Sequence, residues 1–151
     1  MEQSRKSLKT SSVVVLLLAL LSLLSILYEV FFGELNAELK NATLPEGSPD
    51  NIVLITQIVV LVISVLMLLP QAYIGFKGLK MAKNPDYSKG HIIWGIILFV
   101  LTFLELLPPF VAFLQGDGSA FENVADFLSI AVDAAVLFEY VKYAIAVRNG
   151  Y

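Results

Sequence analysis

The sequence predicts an all-α integral membrane protein, a bundle of four transmembrane helices with the N- and C-termini on the cytoplasmic side (N-in/C-in). Three observations lead to this prediction. First, 58% of the 151 residues are hydrophobic and only 15% are charged, whereas a soluble domain usually carries about 25% charged residues. The mean hydropathy is accordingly high, at +0.79. Second, the apolar residues are gathered in four long runs. Third, the basic residues lie almost entirely on one side of these runs.

Each apolar run is long enough to cross a bilayer as a helix, because about 20 residues at about 1.5 Å per residue span a hydrocarbon core about 30 Å thick. The predicted spans cover residues 12–32, 52–76, 91–114 and 121–147. The runs are continuous rather than alternating, which favours helices over the strands of a membrane barrel. The first run is too long for the apolar region of a cleaved signal peptide. We therefore expect residues 1–151 to form a single transmembrane domain.

The basic residues set the predicted orientation, since Lys and Arg are concentrated in the loops that stay in the cytoplasm. They lie before the first span, between the second and third, and at the end of the fourth: Arg5, Lys6, Lys9, Lys77, Lys80, Lys83, Lys89, Lys142 and Arg148. Only Lys40 lies in the other two loops. The predicted topology is therefore N-in and C-in, and the plasma membrane is the expected location.

Local signals mark the connections between the predicted spans. Turn-forming residues lie in three loops, at 45–49, 84–86 and 116–118. Asp50 is placed to cap the second span, and Ser119 with Glu122 matches a capping box that opens the fourth. Pro108 and Pro109 are expected to end the third span at the outer interface. Their alternative role is to leave carbonyl groups open to a bound cation.

The polar residues within the predicted spans form one polar stripe on each helix when residues are placed at about 100° intervals. The stripes consist of Ser22, Ser25 and Glu29; of Asp50, Gln57, Ser64 and Gln71; of His91, Trp94, Thr102 and Glu105; and of Glu122, Asp126, Ser129, Asp133 and Tyr140. In lipid, such stripes turn toward other helices or toward the axis of an oligomer. We therefore expect a homo-oligomer.

The carboxyl groups in these stripes are the candidate site. Asp133 lies near the predicted bilayer midplane and Glu105 in the outer half of the third span. A charged side chain at the membrane centre costs roughly 2.5–3.5 kcal/mol, and no Lys or Arg lies within the membrane core to offset these two acids. Each acid is therefore expected to be protonated, to bind a cation or face water, or to pair with a basic group of another protein. Glu29 and Asp126 lie near the outer ends of their spans, where simple hydration is an alternative.

Transport or conduction coupled to a cation or a proton is the predicted function. The predicted proton- or cation-binding residues are Asp133, Glu105, Asp126 and Glu29. The predicted cavity-lining residues are Gln57, Ser64, Gln71, Thr102 and Ser129. The alternative is a non-transporting membrane subunit or regulator whose acids pair with a basic residue of its partner.

Several other classes of protein are not indicated. The chain has no cysteine and one histidine, and it lacks the HExxH, Gly-x-Ser-x-Gly and Walker motifs. We therefore predict no enzymatic activity and no cofactor. No basic stripe with interleaved aromatic residues indicates a nucleic-acid partner.

The remaining residues near the membrane edges are expected to have structural roles. His91 is expected at the inner interface without a catalytic role. The expected interfacial anchors are Trp94, Tyr73, Tyr87, Tyr140 and Tyr143. Glu139 points away from the polar stripe and is expected to pair with Lys142 at the i+3 position.

Leu69-Pro70-Gln71, followed by Lys77, Lys80 and Ser88, resembles the proline–glutamine signature of PQ-loop transporters such as the SemiSWEET half-transporters. The resemblance covers residues 52–147 and implies a three-helix transport unit, to which the first span would be an addition. The acids of the fourth span are not part of that signature. In general shape the chain is also similar to small multidrug-resistance exporters. Their membrane carboxylate lies near the middle of the first helix, whereas Glu29 lies near its outer end.

Overall fold

All regular secondary structure in the described residues of the computed structural model is α-helical, which confirms the predicted all-α class. The structure describes residues 2–42, 51–86, 88–114 and 120–150, apart from the side chains of residues 112, 113, 120–123, 125 and 126. The helices are α1 (Glu2–Phe31), α2 (Glu34–Asn41), α3 (Ile52–Lys83), α4 (Gly90–Glu105), α5 (Leu107–Leu114) and α6 (Ala120–Arg148).

Among the described residues, three helical stretches have the length and apolar composition of membrane spans. They are Glu2–Asn41, which contains α1 and α2; α3; and Gly90–Val111, which joins α4 to the start of α5. Only 6% of the most apolar stretch of α3 is buried within the protein. An apolar surface of that extent has to be covered by lipid or by another protein. The fold is therefore that of a membrane protein. α6 has 29 residues and is long enough to cross, but ionisable residues such as Asp133, Glu139 and Lys142 interrupt its apolar sequence, and its crossing stays a prediction.

Two helices extend beyond the predicted spans at their polar ends. α1 begins at Glu2 rather than near Ser12, and α3 continues to Lys83 rather than ending near Phe76. Apolar runs mark only the part of a helix that lies in lipid, so the helical turns outside the lipid are not visible in them. Arg5 joins these two ends, because its Nε donates to the carbonyl of Ala82 at 2.9 Å and its Nη2 to that of Lys83 at 2.5 Å.

The third predicted span is broken but does not end at its prolines, so the expectation of an outer helix end at Pro108 and Pro109 is wrong. α4 ends at Glu105, and helical backbone resumes at Leu107 as α5. Prolines are tolerated in the first turn of a helix, where an N–H has no intrahelical acceptor. Because prolines have no N–H, the carbonyls of Leu104 and Glu105 have no donor at the i+4 position.

The chain forms two compact units. The smaller unit is Ala19–Leu69, and the larger unit combines Met1–Leu18 with Pro70–Tyr151. The buried core of the larger unit is drawn from α1, α3, α4 and α6. Its members are Leu8, Val15, Ile74, Met81, Ala82, Ile92, Leu137, Tyr140, Ala144 and Val147.

Gln57 connects the helices of the smaller unit. Its side chain is buried, and its Nε2 donates to the carbonyl of Val30 at 2.8 Å and to Oδ1 of Asn36 at 3.0 Å. Asn36 in turn donates to the carbonyl of Phe31 at 2.7 Å. These two carbonyls belong to the last turn of α1, where intrahelical donors run out. The amide of Gln57 therefore caps α1 from α3.

Several predicted features lie outside the described residues. They are the turns at 45–49 and 116–118, the cap at Asp50, the capping box of Ser119 with Glu122, the anchor Tyr87 and the side chain of Asp126.

Candidate functional site

Asp133 and Glu105 lie on two helices of the larger unit that pack against each other. α4 packs along α6, and the Phe99 and Phe138 rings mark this contact with centroids 5.8 Å apart. Asp133 lies near the middle of α6 and is half-buried, whereas Glu105 is the last residue of α4 and is exposed on the single chain. The two carboxyl groups are near enough to interact electrostatically.

Neither acid has a basic partner in the part of the chain that the structure describes. The described ion pairs are Lys6 with Glu2 at 2.8 Å and Lys142 with Glu139 at 3.3 Å, and the second confirms the predicted i+3 pair. Two carboxylates in range of each other repel when both are ionised, and binding one proton or one cation would remove that repulsion. The described residues contain no group of three or more possible metal-ligating side chains.

The other predicted site residues are divided between the two units and differ in burial. Gln71 and Thr102 are half-buried in the larger unit, and Ser129 is exposed on α6. The smaller unit holds Gln57, Ser64 and Glu29. Ser64 is half-buried, and Glu29 is exposed with its carboxylate against Gly33. The polar stripes therefore do not all face the interior of one chain, and their roles in binding or in lining a cavity stay predictions.

Two polar residues of the larger unit, His91 and Tyr140, contact one another in its interior, although the sequence pattern predicts them at the membrane edge. Both are fully buried. The Tyr140 hydroxyl donates to the carbonyl of Ile74 at 2.8 Å and lies 2.6 Å from Nδ1 of His91. A hydroxyl has one proton to donate. Since that proton is directed at Ile74, Nδ1 of His91 must be the donor in the second bond.

Two glycines make room for the Tyr140 ring. A Cβ on Gly78 of α3 would lie 2.5 Å from Cε2 of Tyr140 and closer still to Oγ of Ser12. A Cβ on Gly95 of α4 would lie 3.0 Å from Cε1, at the opposite edge of the ring. Real Cβ atoms essentially never approach to 2.5 Å, and a contact of 3.0 Å is tighter than most. The absence of a side chain at both positions therefore allows α3 and α4 to enclose the ring.

Two buried polar atoms in this region lack a hydrogen-bond partner among the described residues: Oγ of Ser12 and Nε2 of His91. The hydroxyls of Thr10 and Ser11 differ from that of Ser12, because each bonds to a carbonyl of its own helix. An N–H at Nε2 would have no acceptor, so the neutral imidazole with its proton on Nδ1 fits this environment. The signal for this cluster was present in the sequence, since His91 and Tyr140 both lie in polar stripes.

No family model, curated protein or solved structure matches the chain. The resemblance to PQ-loop transporters and the similarity to small multidrug-resistance exporters therefore stay predictions. Evidence for a function comes from the geometry of the chain's own residues.

Proposed function

We propose that the protein is a small membrane transporter or channel that conducts a cation or couples to one, and that Asp133 and Glu105 form its binding site. One observation carries the proposal. Two carboxyl groups lie within electrostatic range on packed helices, and no described basic side chain pairs with either. An acid pair in an apolar protein is costly when both members are ionised, and binding a positive ion removes that cost.

A proton is the ion that best fits this pair. A divalent cation such as Ca²⁺ takes about six to eight oxygen ligands, and the described residues contain no group of three or more side chains suited to a metal. Two neighbouring carboxyl groups are sufficient to hold one proton. The carbonyl of Glu105, which has no i+4 donor, would supply a further oxygen ligand if a monovalent cation were bound instead.

The proposal includes the four-span, N-in/C-in topology, with α6 as the fourth span. Its support is the length of α6 and the position of the basic residues at the start of α1, at the end of α3 and at the end of α6.

The proposal also includes a homo-oligomer in the plasma membrane. Glu105 and Ser129 are exposed on the single chain, and acyl chains do not solvate such groups, whereas a second copy does.

Proton flux into liposomes that contain the purified protein tests the proposal. A membrane potential drives protons inward, and a dye trapped in the lumen reports the pH. We expect wild-type flux above that of empty liposomes, and flux at the empty-liposome level for Asp133→Asn and Glu105→Gln. Glu139→Gln is the matched control, because it removes an exposed acid of α6 that already pairs with Lys142. Sodium or potassium flux with the same dependence on Asp133 would identify a metal cation as the substrate. No flux of any of these ions in the wild type would exclude transport.

A second function, that of a membrane subunit or regulator, is favoured by the exposure of Glu105. An exposed carboxylate on a membrane helix suits a Lys or Arg of a partner protein. This function predicts a fixed partner that purifies with the wild type and with Glu139→Gln but is lost with Glu105→Gln. Purification of the wild type without any stoichiometric partner would argue against it.

A further inference from the structure

The N-terminal turns of α1 and the end of α3 together form a basic depression. Arg5 holds the two helix ends together through its bonds to the carbonyls of Ala82 and Lys83. As a result Lys83 is brought next to Lys6 and Lys9, and these residues line a depression of about 180 Å³. Lys9 and Lys83 have no ion-pair partner among the described residues.

A groove of about 470 Å³ continues from this depression along α1. Its lining residues are Lys6, Lys9, Thr10, Val13 and Val14. Lys6 and Lys9 line both spaces, so the two adjoin. The spacing of three and four residues places all five side chains on one face of the helix. We refer to the depression and the groove together as the α1 groove.

The polarity of the α1 groove changes in one direction. It begins with the ammonium groups of Lys6 and Lys9, passes the hydroxyl of Thr10, and ends at the apolar side chains of Val13 and Val14. This change takes about two helical turns, or about 10 Å. The headgroup layers add about 10–15 Å in total to a core about 30 Å thick, or about 5–8 Å on each side, so the groove is long enough to extend from one headgroup layer into the acyl chains. A ligand that matches the groove has a negative head and an apolar tail.

We propose that the α1 groove binds an anionic phospholipid, with the phosphate at Lys9 and Lys83 and one acyl chain along Val13 and Val14. The inference does not depend on the transport function. Glu2 is the one acid in the depression, and it pairs with Lys6 at 2.8 Å. Both side chains are largely exposed, at 82% and 76%, and exposed pairs of this kind contribute little. The lipid phosphate therefore competes with Glu2 for Lys6.

A binding site has to be distinguished from the general attraction between basic residues and anionic lipid, which contributes about 1 kcal/mol for each Lys or Arg near the membrane surface. Two pairs of variants make this distinction. Lys9→Gln with Lys83→Gln removes two charges from the groove. Lys80→Gln with Lys89→Gln removes the same charge from exposed residues that do not line it.

The experiment titrates the full-length protein in detergent micelles with dioleoyl phosphatidylglycerol and counts bound lipids by native mass spectrometry. Dioleoyl phosphatidylcholine, with the same chains and no net charge, is the comparison. We expect the Lys9/Lys83 double variant to weaken phosphatidylglycerol binding about 100-fold or more, the factor that corresponds to the loss of two charge-assisted hydrogen bonds of about 1.5 kcal/mol each. The Lys80/Lys89 double variant should bind like the wild type. Glu2→Gln should bind more tightly, and a folding defect does not produce that result.

Three outcomes would overturn the proposal. The first is equal binding of the two lipids by the wild type. The second is equal loss of binding in the two double variants, which would mean that only total charge matters. The third is displacement of the lipid by inorganic phosphate at the same concentration, which would make the groove a phosphate site without a role for the acyl chain.

Discussion

Replacing Tyr140 by phenylalanine tests whether the buried hydrogen bonds of the larger unit stabilise it. The substitution keeps the ring between Gly78 and Gly95 and therefore opens no large cavity. It removes the acceptor of the Nδ1–H of His91, 2.6 Å away, and one donor to Ile74. The Ile74 carbonyl still accepts the backbone N–H of the residue one turn later in α3. The main effect is therefore that the Nδ1–H of His91 stays buried without an acceptor. Such a loss costs about 1–3 kcal/mol.

The assay measures the free energy of unfolding in mixed micelles as the fraction of a denaturing detergent is raised. Trp94 is the only tryptophan and lies three residues from His91 on α4, so its fluorescence reports this region. Tyr143→Phe is the matched control on the same helix. Its ring lies 5.0 Å from the Lys142 ammonium group, and phenylalanine retains that contact, so we expect a change below about 0.5 kcal/mol.

The reasoning would be refuted if Tyr140→Phe were as stable as Tyr143→Phe. A double-mutant cycle with His91→Ala tests the cause, because residues in direct contact give non-additive effects. Once the imidazole is absent, Tyr140→Phe should cost less than it does in the wild type. An equal cost in both backgrounds would show that the bond to His91 is not responsible.

The same unfolding assay tests two further contacts, and amide hydrogen exchange tests a third. Gly78→Ala should destabilise by about 1–3 kcal/mol through overpacking against Ser12 and Tyr140. Gly90→Ala meets nothing closer than 3.7 Å and should not destabilise, and equal effects would contradict the tight packing at Gly78. Gln57→Ala should cost about 1–3 kcal/mol by leaving the Val30 carbonyl uncapped. Its control, Thr56→Ala, removes only a bond within α3. Arg5→Gln should speed amide hydrogen exchange in the last turn of α3, measured by mass spectrometry, because its two carbonyl contacts are lost; unchanged exchange would contradict that role.

The sequence was sufficient to predict the helical class and the central part of each long helix, because a continuous apolar run of about 20 residues has few other structures available to it. It was not sufficient for the helix ends. Glu2 and Lys83 are helical for reasons that lie in contacts between distant residues, such as those of Arg5. The break at Leu106 was anticipated from Pro108 and Pro109, but the resumption of helix at Leu107 was not.

For the candidate site as well, the sequence predicted some features and not others. Placing residues on helical faces drew attention to Asp133 and Glu105, and it did so without knowledge of which helices are neighbours. Burial was harder to predict. Gln57 and His91 are buried, whereas Glu105 and Ser129 from equivalent stripes are exposed. Periodicity gives the direction of a side chain around its own helix, but the identity of the facing surface depends on packing angles that the pattern does not contain.

The enclosure of Tyr140 between two glycines limits how α6 is able to move. Sliding α6 by one turn in either direction would bring a side chain of different size to Gly78 and Gly95, so axial translation is disfavoured while tilting is not. Asp133 lies seven residues from Tyr140 along the same face of α6, a distance of about 10 Å. A tilt of about 10° would then carry its carboxyl group by only about 2 Å. Any gating at Asp133 that keeps Tyr140 in place is consequently a small tilt of α6 rather than a translation along its axis.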